Sequence, residues 1–276
     1  MDERSECKPG RAQPSGADIP IIEFEHVTIK RGSTPAVKDV SLKIKVGEHV
    51  AILGPNGCGK STLVKAMSKE CNPFFQEEGS WVRVFGRDDW NVFELRTMLG
   101  IVSSDLMERC TRMVSGRDIV LSGFFSTIGI WPYQKITDDM VQRAEAAMAL
   151  MDVGHLADRF TDEMSSGEAR RVLLARALVH DPKALILDEP STALDLAAQH
   201  ELRLTLRKLS RSGIGIVMVT HHLSDLIPEM ERVILMDKGL VIADGPTREV
   251  LTAPRLSALF GRPLELLERD GYYNLW

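Results

Sequence analysis

Three observations predict an α/β fold with a mixed, mainly parallel sheet, an antiparallel β subdomain and a helical insertion. A glycine-rich loop, "GPNGCGKST" at 54–62, lies between a short apolar run and a helix-forming stretch. Downstream, further short apolar runs alternate with helical patterns, as parallel strands covered on both faces do. Between the loop and those runs, from about 105 to 165, the chain turns helix-rich.

The bulk numbers set the frame. At 276 residues, 44% hydrophobic and 26% charged, the chain can bury a large core. Its formal net charge of −5 argues against nucleic acid as a partner. No apolar run approaches the roughly 18–20 residues that span a bilayer. Residues 1–20 are charged and polar, without an apolar h-region, so they read as a disordered leader and not as a signal peptide. Cys7, Cys58, Cys71 and Cys110 form no CxxC pair and read as reduced thiols.

In chain order, "IIEFEHVTIK" and "VSLKIKV" alternate partially, as half-exposed antiparallel strands do. "HVAIL" (49–53) is a buried strand entering the loop, and "STLVKAMSK" continues as a helix. "WVRVF" and "LGIVS" are further strands. In the insertion, Thr137 caps a helix on which Met140, Ala144, Ala147, Met148 and Met151 recur at helical spacing. That stripe reads as packing. "DEMSSGEARR" opens a helix to about Val179, and its serine pair and glycine suit an anion-binding N-terminus. "ALILDE" is an apolar strand ending in two acids, and a helix follows through "ELRLTLRKL". "GIVMVTHH" is a buried strand ending in His221 and His222, with His222 expected to point away from His221. "RVILM" and "LVIAD" form a hairpin on Asp237-Lys238-Gly239.

The loop matches G-x-x-x-x-G-K-[ST] at Gly54, Gly59, Lys60 and Ser61. This P-loop pattern predicts phosphate binding by the backbone of Gly54, Pro55, Asn56, Gly57, Cys58, Gly59, Lys60, Ser61 and Thr62. Lys60 would reach the β- and γ-phosphates, and Ser61 would hold Mg²⁺. Asp188, at the end of a parallel strand, would join the metal shell, and Glu189 would polarise the attacking water. His221 would hydrogen-bond the γ-phosphate. Cys58, beside a helix N-terminus, is expected to carry a lowered pKa, so that alkylation blocks ATP binding.

Together these pieces resemble an ATP-binding cassette (ABC) ATPase from Ile21 to about Ala253, with 254–276 an extension packed on the core. Met164-Ser165-Ser166-Gly167-Glu168 stands where the family carries its signature, and "ARRVLLARALVHDPKALILDEPSTALD" continues the family pattern. The resemblance implies ATP hydrolysis in a head-to-tail homodimer. In it, Ser165, Ser166, Gly167 and Glu168 of one copy close on the ATP held by the other, with Asp195 near the interface.

Three positions depart from the family. Arg31 falls at the adenine-stacking aromatic, where its flat guanidinium can stack. Ser104 replaces the Q-loop glutamine, which puts coupling in doubt more than hydrolysis. In the signature, Ser166, Met164 and Glu168 replace the first glycine, leucine and glutamine.

Two functions stay open. One is the ATP-hydrolysing subunit of a transporter, cytoplasmic and peripheral on the cytoplasmic face of the membrane, serving a separate permease. The ending "REVLTAPRLSALFGRPLEL" loosely resembles cassettes of iron-complex and cobalamin-type importers. The alternative is a stand-alone soluble cassette in regulation or assembly, favoured by Ser104 and "VLSGFFSTIGIW". A DNA-acting mechanoenzyme is disfavoured by charge and by the lack of coiled-coil or zinc insertions.

Overall fold

The computed structural model describes residues 20–71, 79–103, 105–106 and 113–276. The expected leader up to Ile19, Ser104, Cys7 and Cys110 lie outside the described residues.

Strands β1 (Pro20–Arg31), β2 (Thr34–Lys45) and β4 (Trp81–Val84) form an antiparallel sheet in the order β2-β1-β4. Ile22 faces Ile44 and Val84, and Phe24 faces Leu42 and Val82. These six side chains are buried, so one face of the sheet is apolar. "WVRVF" therefore belongs to this small sheet and not to the parallel one.

The larger sheet runs β5-β6-β7-β3-β8-β9. Its members are β3 (His49–Leu53), β5 (Leu99–Val102), β6 (Ala184–Asp188), β7 (Gly215–Thr220), β8 (Arg232–Asp237) and β9 (Leu240–Pro246). All neighbours are parallel except β8 and β9. That hairpin turns on Lys238 (φ 47°) and Gly239 (φ 86°), the paired positive angles whose twist suits a two-residue connection.

Alternation along the central strands feeds two cores. Val50, Ile52, Ile186, Val217, Val219 and Ile234 pack with the small sheet and with α1 (Lys60–Met67). Ala51, Leu53, Leu185, Leu187, Met218 and Leu235 pack on the other side with the helices. Burial on both faces is why these strands read as unbroken apolar runs.

The helices of that second core are α3 (Gly116–Leu121), α4 (Asp138–Leu150), α5 (Ser166–Leu178) and α6 (Leu196–Arg211); α2 (Val92–Met98) precedes β5. Thr137 caps α4 as expected, its Oγ1 accepting from the Met140 N–H at 3.3 Å. Ala144, Ala147, Met148 and Met151 are buried with Ile119, Leu156 and Val172, so the methionine stripe is packing.

After β9 come α7 (Thr247–Val250), α8 (Ala253–Phe260) and a hairpin of β10 (Leu266–Arg269) and β11 (Tyr272–Leu275). Tyr273 is buried in the helical-side core, and the Tyr272 hydroxyl accepts from Arg207 Nη1 at 3.0 Å. Trp276 stays 74% exposed.

Candidate active site

The central position of β3 decides where the site forms. Its carboxyl end releases the glycine loop, and the ends of β6 and β7 lie at the same edge, with Leu53 level with Thr220. Open α/β sheets gather their ligands at that edge.

The loop's shape is enforced by contacts. Gly59 caps α1 at φ 110°, and a Cβ there would stand 2.2 Å from the Ala36 carbonyl oxygen. A Cβ on Gly54 would stand 2.3 Å from the Met236 carbonyl oxygen. Both glycines are required by close backbone approach. Lys60, 5% exposed, curls over the loop and donates from Nζ to the carbonyls of Gly54 (2.7 Å) and Pro55 (3.1 Å).

β6 ends at Asp188, not at Glu189. Asp188 is 4% exposed, and Ser61 Oγ donates to its Oδ1 at 3.4 Å. Burial raises the Asp188 pKa, with the Ser61 hydrogen bond opposing and the Glu189 charge adding to the rise. A buried carboxylate and a hydroxyl facing each other are hard oxygen donors, so the pair fits Mg²⁺.

Glu189 leaves the strand in a left-handed conformation, φ 51°. Its Oε1 lies 3.7 Å from Lys60 Nζ, and its Oε2 lies 2.8 Å from His221 Nδ1. The structure thus brings Lys60, Ser61, Asp188, Glu189 and His221 together. Because Nδ1 is committed to Glu189, only Nε2 of His221 remains for a phosphate.

Two expectations are corrected. His222 does not point away: its ring centroid lies 3.8 Å from that of His221. β7 stops at Thr220, so strand alternation no longer governs the two histidines. Nor is the Cys58 thiol acidified: it is 2% exposed, and burial pushes its pKa up, outweighing the nearby Lys60 charge. Being next to a helix N-terminus does not compensate for lost solvent.

Ser165, Ser166, Gly167 and Glu168 are built as a helix start. Ser165 Oγ accepts from the Glu168 N–H at 3.3 Å, and Glu168 Oε2 accepts from the Ser165 N–H at 2.8 Å. This capping box explains the acid in the signature, and the Ser165 N–H holds the Glu168 pKa down. A Cβ on Gly167 would come 2.9 Å from the Ala198 side chain, so this glycine lets α5 meet the start of α6. Among the described residues, the side-chain bonds of Ser165 and Glu168 run to each other and to Arg159 and not to the Lys60 cluster. Asp195 caps α6, accepting from the Ala198 N–H at 2.8 Å. Arg31 is exposed where β1 turns into β2.

Sequence reasoning missed the support of this cluster. Thr220 Oγ1 donates to the buried Asp225 at 2.5 Å and lies 3.4 Å from Glu189 Oε2. Arg170, on α5, is 3% exposed. Its signal was an arginine on the apolar stripe Gly167, Arg170, Leu174. Beside the loop, a cavity of about 410 Å³ is lined by Pro55, Asn56, His221, His222, Arg262 and Asn274, so the C-terminal segment forms one wall of that cavity.

The family model described as "ABC transporter" matches residues 37–192. The chain is 33% identical over 254 residues to the uncharacterized ABC transporter ATP-binding protein YlmA of Bacillus subtilis (strain 168), covering 90% of this chain and 93% of that one. It is 35% identical over 246 residues to the hemin import ATP-binding protein HmuV of Nocardia farcinica, covering 86% and 81%. Its fold superposes with a TM-score of 0.66 on the dimeric post-hydrolysis state of the ATP-binding cassette MJ0796 bound to ADP and Pi, at 26% identity over 82% of this chain and 98% of that one.

Proposed function

The chain belongs to the ABC transporter family, and on that premise we propose a role for each residue of the cluster and a membrane permease as its partner. It is an ATP-binding, ATP-hydrolysing subunit of a transporter. The observation that carries the residue roles is the Lys60–Glu189–His221 arrangement at the carboxyl end of the sheet.

The glycine loop from Gly54 to Thr62 wraps the phosphates with its N–H groups, and Lys60 places a positive charge beside the β- and γ-phosphates. Glu189, held by His221, accepts a proton from the attacking water as the bond to the γ-phosphorus forms. The leaving oxygen departs with ADP. His221 turns Nε2 toward the γ-phosphate. Ser61 and Asp188 hold Mg²⁺, which when bound neutralises charge on the phosphate oxygens. Arg31 stacks on the adenine.

Ser165, Ser166 and Gly167, at the N-terminus of α5, serve the nucleotide of a second copy. That a similar cassette is dimeric supports a two-copy assembly. Among the described residues no helix is long and apolar enough to cross a membrane, and the partner proposed for moving the solute is a separate membrane protein. The test is affinity capture of tagged Glu189→Gln from gently lysed native cells with ATP and Mg²⁺. Recovery from membranes with a multi-span protein supports the reading. A soluble dimer without one returns the chain to a stand-alone role.

A further inference from the structure

The segment after β6 is conformationally strained. Glu189 sits at φ 51° and Ala193 at φ 64°, angles that side-chain-bearing residues hold only when their surroundings impose them. Two buried charges grip the turn between them. Arg170 donates from Nη2 to the Thr192 carbonyl at 3.2 Å. Asp225, 4% exposed, hydrogen-bonds the Ser191 side chain and accepts from Thr220 Oγ1 at 2.5 Å. The two grips fall on adjacent residues, from opposite elements: α5 on one side, the segment after β7 on the other.

Arg170 is an expensive way to hold one carbonyl. Its Nε and Nη1 are buried without a hydrogen-bond partner. Burial lowers its pKa to about 10, against the raising influence of the Asp225 carboxylate. A neutral side chain of similar volume would fill the place without that desolvation. What a neutral side chain cannot do is hold Thr192 by a charged donor in the field of the buried Asp225.

We infer that Arg170 and Asp225 are positioning residues that, through Thr192 and Ser191, hold Glu189 in its orientation and join the helix opened by Ser165 to the strand end carrying His221. The inference rests on the role proposed above for Glu189. It adds a mechanical consequence. A shift of α5, when its N-terminus engages a second copy's nucleotide, reaches Glu189 through a single hydrogen-bonded turn. Arg170 and Asp225 act through Glu189 and touch no reacting atom.

The test is steady-state ATP hydrolysis by the purified full chain, with thermal midpoints measured in parallel. In the paired variant Arg170→Met/Asp225→Asn no buried charge is left alone, so the fold is expected to survive. Its kcat should fall about tenfold or more while the KM for ATP stays within about twofold. Arg170→Lys keeps a charged donor and should recover part of that loss. If the paired variant fails to fold, Ser191→Ala removes one grip at small structural cost and should lower kcat at least about threefold. Wild-type kcat in whichever variant is read, or a loss confined to KM, overturns the inference. Glu189→Gln run alongside separates the two readings. If it is inactive and the paired variant fully active, only the inference falls. If Glu189→Gln itself turns over normally, the role of Glu189 falls first and the inference with it.

Discussion

His221 Nδ1 and Glu189 Oε2 stand 2.8 Å apart, and the other oxygen of the same carboxylate lies 3.7 Å from Lys60 Nζ. One side chain therefore links the lysine of the phosphate loop to a residue that follows a different strand. Its backbone angle, φ 51°, lies outside the extended range of β6. The turn off the strand is what aims the carboxylate toward both partners.

Replacing Glu189 by Gln keeps the side chain's shape and removes its ability to take a proton. General-base assistance contributes about 10²–10⁴ in rate, so kcat should fall by that range with ATP affinity retained. Single-turnover hydrolysis together with nucleotide-binding titration checks both halves. His221→Ala should lower kcat less, because it leaves in place the carboxylate that takes the proton.

Asp188 gives a prediction of opposite sign for stability and activity. Its pKa is raised on folding, chiefly by burial, so the folded state binds the proton more tightly than the unfolded chain. The stabilisation this provides is full below the ordinary carboxylate range and is lost as pH rises through the raised value. Asp188→Asn should therefore melt higher than wild type at neutral pH without nucleotide or Mg²⁺, the two converging as the solution is acidified. Each kcal/mol corresponds to about 2–4 °C for a domain of this size. Mg²⁺-dependent hydrolysis should be lost in the same variant. Melting curves across pH, with EDTA and then with Mg²⁺ and ATP, read both effects.

Cys58 is expected to resist alkylation. Its thiol is buried and its pKa raised, so both access and thiolate fraction are reduced at neutral pH. Its labelling rate, followed by peptide mass spectrometry, should be at least about tenfold below that of a free thiol. The rate should climb at a more alkaline pH than for free cysteine.

Gly59→Ala should disable the loop. The new methyl group would meet the Ala36 carbonyl oxygen at 2.2 Å, in a backbone conformation that L-residues avoid. The strain alone costs about 1–3 kcal/mol, and relief requires the loop to move. ATP affinity should drop by more than about tenfold, with a lowered melting temperature, measured by titration and thermal scan.

The parts of this site that sequence made legible are contiguous or sit at strand ends. Gly54 to Thr62 is one unbroken motif, and Asp188 ends a run of apolar residues whose burial on both faces marks a central strand. The cap of α4 and the turn at Lys238-Gly239 were legible because each depends on residues a few positions apart. What failed depended on where a pattern stops or on distant contacts. His222 was misplaced because β7 ends at Thr220, beyond which alternation has no force. Cys58 was misjudged because its environment is set by packing from across the fold, including the close approach of Met236 to Gly54. Trp81 to Val84 is the strand expected, but the sheet it joins was not legible, because it pairs with β1 far upstream and nothing within those four residues distinguishes one sheet from the other. Arg170 and Asp225 are 55 positions apart and come together by gripping adjacent residues of one turn.

The central claim is that Lys60, Glu189 and His221 of one copy hold the ATP that Ser165 and Gly167 of another copy close upon. Sedimentation velocity of Glu189→Gln with and without millimolar ATP tests it most directly. The account predicts a monomer without nucleotide and a dimer holding two ATP per pair with it, a dimer that Ser165→Arg abolishes without loss of ATP from the monomer. A Glu189→Gln chain that binds ATP at saturation and remains monomeric would contradict it.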